Sequence, residues 1–441
     1  MSSGMDKYSR FDAPARAENV FLKGARVVDP RQGIDQILNL HVRQGILQVG
    51  AAEAPAGADT VDLQGHLITP GWFDLHVHFR EPGREVAETV ASGCQAASNG
   101  GFTGVACMPN TDPPLDSAGL VQWVAEQGSR FPVDVNVVAC VTRGRAGKEL
   151  VDMSELYDAG VRAFSDDGSA VRNSGVLRSA LEYANMIGAR IFEHADDTYL
   201  SSDGSMNEGE WSTRLGLSGI PTVGEVIDVM RCILLAKYCD AAVHICHVST
   251  KGAIDWIRWA KQNGIRVTAE VCPHHLLLTD EACRTFDANT KMNPPLRTEV
   301  DRLACLEGFR DGTLDVYCTD HAPHPWEAKA QEFDTAPFGI VGIETALSLA
   351  LTHLMPSVVD LPTLLDRVVY APREVLSQSI PTIASGQPAN LTIIDPQASY
   401  HVDPSSFRSQ SRNTPFDGWP VKGRARGVIN RGFAVIKPAF A

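Results

Sequence analysis

Hydrophobic and polar positions change their pattern twice along the chain. From Asn19 to about Thr69, short alternating stretches appear, such as Val20-Phe21-Leu22, Leu38-Asn39-Leu40-His41-Val42 and Ile46-Leu47-Gln48-Val49. Gly24, Gly33, Gly45, Gly50 and Gly65 punctuate them, as tight turns between small antiparallel strands require. The same texture returns at Leu391 to Asp395 and from Val421 to Val435. Neither piece can bury a core alone, so together they predict one small β domain, residues 19–70 plus 386–441. Residues 1–18 show no such pattern and read as disordered. In between, over 71–385, apolar runs at 72–79, 102–108, 133–141, 161–166, 189–194, 242–248, 265–272 and 314–319 alternate with stretches of helical period. Examples of the latter are Glu85 to Ala97 and Ser154 to Tyr157; Thr222 and Glu225, after Pro221, have the spacing of a capping box. Eight strand–helix units of this kind predict an α/β fold, a parallel (β/α)8 barrel of the TIM type. A doubly wound open sheet is the alternative, weakened because no Gly-x-Gly-x-x-Gly follows the first strand.

Composition narrows the class. The 441 residues are 44% hydrophobic, enough for one large domain and a small one, with no apolar run long enough to span a bilayer. The first residues lack the apolar segment of a signal peptide. A net charge of −14 without a Lys/Arg cluster argues against a nucleic-acid partner. Ten cysteines occur without a CxxC pair, and Cys107, Cys140, Cys246 and Cys318 lie inside apolar strands, as buried thiols of a reducing compartment would. These features predict a cytoplasmic enzyme acting on a small molecule.

The candidate chemistry lies where the strands end. Within 72–79, strand alternation puts Asp74, His76 and His78 on one face and Phe73, Leu75 and Val77 on the other. The fourth strand runs into Phe164-Ser165-Asp166-Asp167-Gly168, the fifth ends in Glu193-His194, the sixth in His244-Ile245-Cys246-His247 and the eighth in Thr319-Asp320-His321. In a barrel these ends share one rim, where active sites form. Imidazoles and carboxylates without thiolate suit zinc, manganese or cobalt. Six candidate ligands exceed what one tetrahedral ion needs, so they suggest two metals sharing a carboxylate and activating one water.

Longer motifs now carry a resemblance. Asp74-Leu75-His76-Val77-His78-Phe79-Arg80-Glu81-Pro82-Gly83, Met108-Pro109-Asn110-Thr111, Cys246-His247-Val248-Ser249-Thr250 and Pro273-His274-His275-Leu276 occur in order. Asn293-Pro294-Pro295-Leu296-Arg297, Thr319-Asp320-His321-Ala322-Pro323-His324 and Asn413-Thr414-Pro415-Phe416 follow. The chain resembles the amidohydrolase superfamily and, within it, the bacterial type I dihydroorotases, over nearly everything after residue 19. The resemblance implies a zinc-dependent interconversion of N-carbamoyl-L-aspartate and L-dihydroorotate in pyrimidine synthesis. It implies two zinc ions, one on His76, His78 and Asp320, the other on His194 and His247, with Asp167 bridging. Many relatives bridge with a carboxylated lysine, but Val161 to Gly168 holds none. Asp166 is the rival bridge; alternation separates the two, and the group's pattern favours Asp167. Asp320 would also be the general base and acid, acting on a hydroxide between the metals.

For the substrate, Arg80 offers a planar fork to the ring carboxylate. The resemblance adds Asn110 and His324 to that pocket, and Asn293 with the backbone of Phe338 and Gly339 to the ring. His274, His275 and His321 are expected to support the site, and Asp74 to orient a ligand imidazole. One departure is Ala195, in His194-Ala195-Asp196-Asp197, where the group more often has cysteine; it is no ligand position. Competing readings are a hydantoinase or allantoinase, against which the Asp167 bridge and the Arg80/Asn110 pocket stand, and a silent scaffold for aspartate carbamoyltransferase, against which the complete ligand set stands. A second copy of the chain and that transferase are the protein partners the resemblance admits.

Overall fold

The structure, a computed structural model, describes residues 6–201 and 203–438. Eight parallel strands at Trp72–Val77, Phe102–Cys107, Asp134–Val137, Ala163–Phe164, Arg190–Glu193, Val243–Ile245, Val267–Val271 and Val316–Tyr317 follow one another around a ring. Parallel bridges Ala139 to Phe164 and Val77 to His321 join the third strand to the fourth and the eighth to the first, closing the barrel. Every predicted apolar run contains one of these strands. The strands are shorter than the runs because the rim residues leave the ladder to face the cavity.

Each of the eight strands, or the residue that directly follows it, contributes to one interior cluster that includes Phe73, Leu75, Ala106, Met108, Val138, Ala163, Phe192, Cys246, Cys272, Val316 and Cys318. It is a packed plug on which the polar rim rests. Gly104 makes it possible, since a Cβ there would stand 2.4 Å from the Phe73 ring. A second, larger cluster fills the space between strands and helices.

Among the described residues, nine strands from the two ends of the chain form a second large sheet. In it Leu391–His401 pairs antiparallel with both Leu67–Pro70 and Pro420–Asn430, so N- and C-terminal segments share one core of Val20, Leu22, Leu40, Ile68, Leu391, Ile393 and Ile429 among others. The strand Leu67–Pro70 leads after one residue into the first barrel strand.

Four local expectations are corrected. Residues 6–18 are ordered, whereas 1–5 lie outside the described residues. The Tyr8 hydroxyl donates to Asp59 at 2.9 Å, Phe11 packs on Val428 and Val435, and Ala15–Arg16 pairs with Phe433 and Ala434. These contacts are non-local, and no local periodicity announces them. The first barrel helix spans Val90–Gly100 rather than starting at Glu85, because the reciprocal cap is made by Thr89 and Ser92. The capping box at Thr222 does not form: Pro221 is the cap of Thr222–Tyr238. Glu225 instead accepts the backbone N–H groups of Ser249 and Thr250 at 3.0 and 2.9 Å and bonds both hydroxyls, anchoring the loop that leaves His247.

The fourth correction concerns the first strand. Its register against the second slips between Asp74 and Val77, placing one extra residue there, a bulge. Phe73 and Leu75 lie in the interior cluster and Val77 in the outer one, so simple alternation fails. Asp74 does not orient an imidazole side chain. Its Oδ1 accepts the Thr319 N–H at 3.0 Å and its Oδ2 the Thr319 hydroxyl at 2.5 Å, tying the first strand to the eighth just before Asp320.

Candidate metal centre and active site

Asp167 stands at the middle of the rim. Its Oδ1 lies 3.3 Å from His76 Nε2, 3.7 Å from His194 Nδ1 and 3.6 Å from His247 Nε2, and its Oδ2 lies 3.6 Å from His78 Nε2. Asp320 Oδ1 lies 2.9 Å from His78 Nε2 and 3.6 Å from His76 Nε2. All six side chains are buried. Asp166 is turned away, its Oδ1 accepting the N–H groups of Val141 and Thr142 at 2.9 and 3.0 Å. Arg145 braces the same turn by donating to the backbone carbonyls of Asp166 and Asp167. His247 and Asp320 hold left-handed backbone angles, φ 33° and 46°, as does Arg80 at 39°. Such angles cost energy in non-glycine residues and cluster at functional sites.

The hydrogen bonds around the imidazoles show what the cluster is built to hold. His76 Nδ1 lies 2.6 Å from Glu270 Oε1, and His78 Nδ1 lies 2.8 Å from Asn110 Oδ1. With protons given to those acceptors, both Nε2 atoms carry bare lone pairs aimed at carboxylate oxygens. Lone pair against lone pair is repulsive without a cation between them. His76 Nε2, Asp167 Oδ1 and His247 Nδ1 are buried with no hydrogen-bond partner among the described residues. Two ligands on one tetrahedral ion with bonds near 2.0–2.1 Å stand roughly 3.3 Å apart, close to most of the separations measured here. Donor groups of three share Asp167: His76 and His78 with it on one side, His194 and His247 on the other. The residues fit a metal.

The electrostatics agree. Burial pushes the Asp167 carboxyl up, but the surrounding imidazoles of His76, His194 and His247 outweigh it and hold it well below its usual range. Asp320 falls likewise, burial being overcome by His76 and His78. Burial works against a charged His76, yet Glu270, Asp167 and Asp320 raise it well above its ordinary value. The carboxylates around His76 thus give the pocket a negative potential, which favours a cation there.

A cavity of about 320 Å³ opens above the cluster. His78, Asp167, His194, His247 and Asp320 line it, together with Arg80, Asn110, Asn293, His324, Phe338 and Gly339; His76 lies beneath. Arg80 is buried, its Nε donating to Pro323 O at 3.2 Å. Among the described residues no carboxylate lies within 4.0 Å of its guanidinium. Burial lowers it to about 10, so it stays charged near neutrality. Two expected carboxylate contacts are otherwise engaged: Asn110 bonds His78 and, at 3.3 Å, Asp167, while His324 Nε2 donates to Phe338 O at 2.8 Å. Burial brings His324 down to about 3, leaving its Nδ1 an acceptor at neutral pH. Asn293 Nδ2 lies 3.2 Å from His194 Nε2.

Sequence reasoning missed Glu270. Besides His76 Nδ1, it accepts from His244 Nε2 at 3.2 Å, and these imidazoles overcome its burial to depress its ionisation. The signal was available, as the one acid inside the apolar run Val267–Val271.

A family model described as Dihydro-orotase-like matches residues 65–253. The chain is 45% identical over 422 residues to the dihydroorotase of Geobacter metallireducens, spanning 95% of this chain and 100% of that one. With the dihydroorotase of Pelotomaculum thermopropionicum it shares 46% over 420 residues, 95% and 98% of the two chains. The chain belongs to the dihydroorotase family. It is thus an enzyme, a hydrolase of cyclic-amide C–N bonds, and the family's metal dependence agrees with the donor set. Among solved structures, the L-hydantoinase of Arthrobacter aurescens superposes with a TM-score of 0.83 at 23% identity, covering 96% of this chain and 97% of that one. A D-hydantoinase gives 0.81 at 21%, with 95% of each covered. These likenesses establish the barrel-and-sheet fold. No helix among the described residues is long and apolar enough to cross a membrane.

Proposed function

We propose that the protein interconverts L-dihydroorotate and N-carbamoyl-L-aspartate at a binuclear zinc centre. The observation that carries this reading is Arg80, a buried guanidinium without an acidic partner, lining the same cavity as Asp167 and Asp320. A substrate carboxylate is the partner it lacks, and dihydroorotate bears one beside its amide ring. Hydantoin and allantoin do not.

His76, His78 and Asp320 would hold one zinc and His194 and His247 the other, with Asp167 shared; bound there, the ions supply Lewis-acid polarisation of the ring carbonyl and a more acidic water. The chain's residues account for the rest. Arg80 fixes the carboxylate and so the ring's orientation. In ring opening, Asp320 takes a proton from the attacking water and passes it to the ring nitrogen as the C–N bond breaks. The new carboxylic acid ionises, releasing one proton to solvent. Ring closure runs this path backward and begins with Asp320 protonated. The experiment is an assay of purified, metal-replete protein with dihydroorotate, hydantoin and allantoin side by side. Turnover of dihydroorotate far above the other two supports the reading, and preference for either of the others overturns it.

A further inference from the structure

The segment Pro337-Phe338-Gly339 forms one wall of the cavity, and its backbone polar groups are nearly all spoken for. The Gly339 N–H donates to Lys291 O at 2.9 Å. Phe338 O accepts from His324, and Gly339 O accepts from Asn413 Nδ2 at 3.0 Å. Behind the segment, at the end of the short helix Trp326–Lys329, sits a buried ammonium. Lys329 Nζ lies 2.9 Å from Pro337 O, 3.0 Å from Gly339 O and 3.4 Å from Lys291 O. No carboxylate stands within 4.0 Å of it among the described residues, and burial lowers it to about 7. An ammonium offers three N–H donors, and three backbone carbonyls take them. Among the described residues no other single group reaches the carbonyls of Pro337, Gly339 and Lys291 together.

We infer that Lys329 is a positioning residue for the reaction, a latch whose amino group pins the 337–339 wall through its carbonyls and leaves the Phe338 N–H as that wall's unengaged backbone donor. This N–H has no acceptor among the described residues. With the carbonyls of 337, 338 and 339 all engaged, the wall presents a donor, and so matches a ring or ureido carbonyl rather than a ring N–H. Gly339 belongs to the same device: at φ 148° a Cβ would stand 2.7 Å from both Ala322 O and the His324 ring, so a side chain there would push the wall off its supports.

The inference rests on the proposed substrate, so its test has two arms. In the first, zinc-replete Lys329→Met and wild type are compared with dihydroorotate. A wall that only holds substrate predicts a KM raised roughly 10- to 100-fold, with kcat within about threefold and unchanged metal content. In the second, amide hydrogen exchange of the substrate-free proteins is measured over residues 336–341. Protection there, including the Gly339 N–H, should fall in the variant while the barrel strands keep theirs. An unchanged KM together with unchanged exchange overturns the latch. If wild type fails to turn over dihydroorotate, the substrate reading falls, and the exchange arm alone still decides whether Lys329 pins the wall. Should Lys329→Met not fold, Lys329→Gln is put through the same measurements.

Discussion

Glu270 Oε1 lies 2.6 Å from His76 Nδ1, with both side chains wholly inaccessible to solvent. The contact fixes which nitrogen of His76 keeps a proton and so which one is free to bind metal. A carboxylate behind a ligand imidazole orients the ring and raises its basicity, and removing such a partner commonly costs 10–100-fold in metal affinity. Glu270→Gln keeps the shape but not the charge. Its metal affinity, measured by competition with a chromophoric chelator, should fall by roughly that factor. Affinity equal to wild type would mean that Glu270 only packs.

The shared position of Asp167 predicts a metal count. Elemental analysis of fully active protein should give close to two zinc-like ions per chain, with chelation abolishing activity and re-addition restoring it. One ion or fewer at full activity would contradict the binuclear arrangement. With Asp167 as the proposed bridge, intact mass should show no carboxylated lysine; a carboxylation increment on any lysine would displace it from that role.

Asp320 predicts opposite pH dependences for the two directions. The surrounding imidazoles hold its ionisation below the usual carboxylate range despite burial. The basic form therefore prevails at neutral pH, and ring opening should rise with pH through an apparent ionisation and then level. Ring closing needs the scarce protonated form and should fall as pH rises. These ionisations belong to the coupled site rather than to one residue. Asp320→Asn, assayed at measured zinc occupancy, should lose at least about 100-fold in both directions. Near-wild-type rates in a zinc-replete variant would remove Asp320 as the proton carrier.

Much of this architecture was legible before any coordinates. The eight apolar runs are near-continuous because parallel barrel strands are buried on both faces, and the Asp and His residues ending them stand out for that reason. His78, Asp167, Asp320 and Arg80 line one cavity as the strand-end pattern requires. What escaped the sequence was decided by partners far along the chain. Glu225 has capping spacing, yet its carboxylate is taken by Ser249 and Thr250. Asp74 keeps the expected spacing from His76, but the bulge before Val77 breaks the alternation and Thr319 claims its carboxylate. Tyr8 and Phe11 lie in a stretch without periodicity and are ordered by Asp59 and by Val428 and Val435.

The account depends most on Arg80, the buried cation that calls for a substrate carboxylate. The direct measurement is kcat/KM of Arg80→Met and wild type, at equal metal content, on dihydroorotate and on dihydrouracil, the same ring without the carboxylate. A lost charge-assisted hydrogen bond of roughly 1.5–3 kcal/mol predicts a drop of about one to two decades for dihydroorotate, with little change for dihydrouracil. Equal losses on both rings would make Arg80 structural and contradict the proposed recognition.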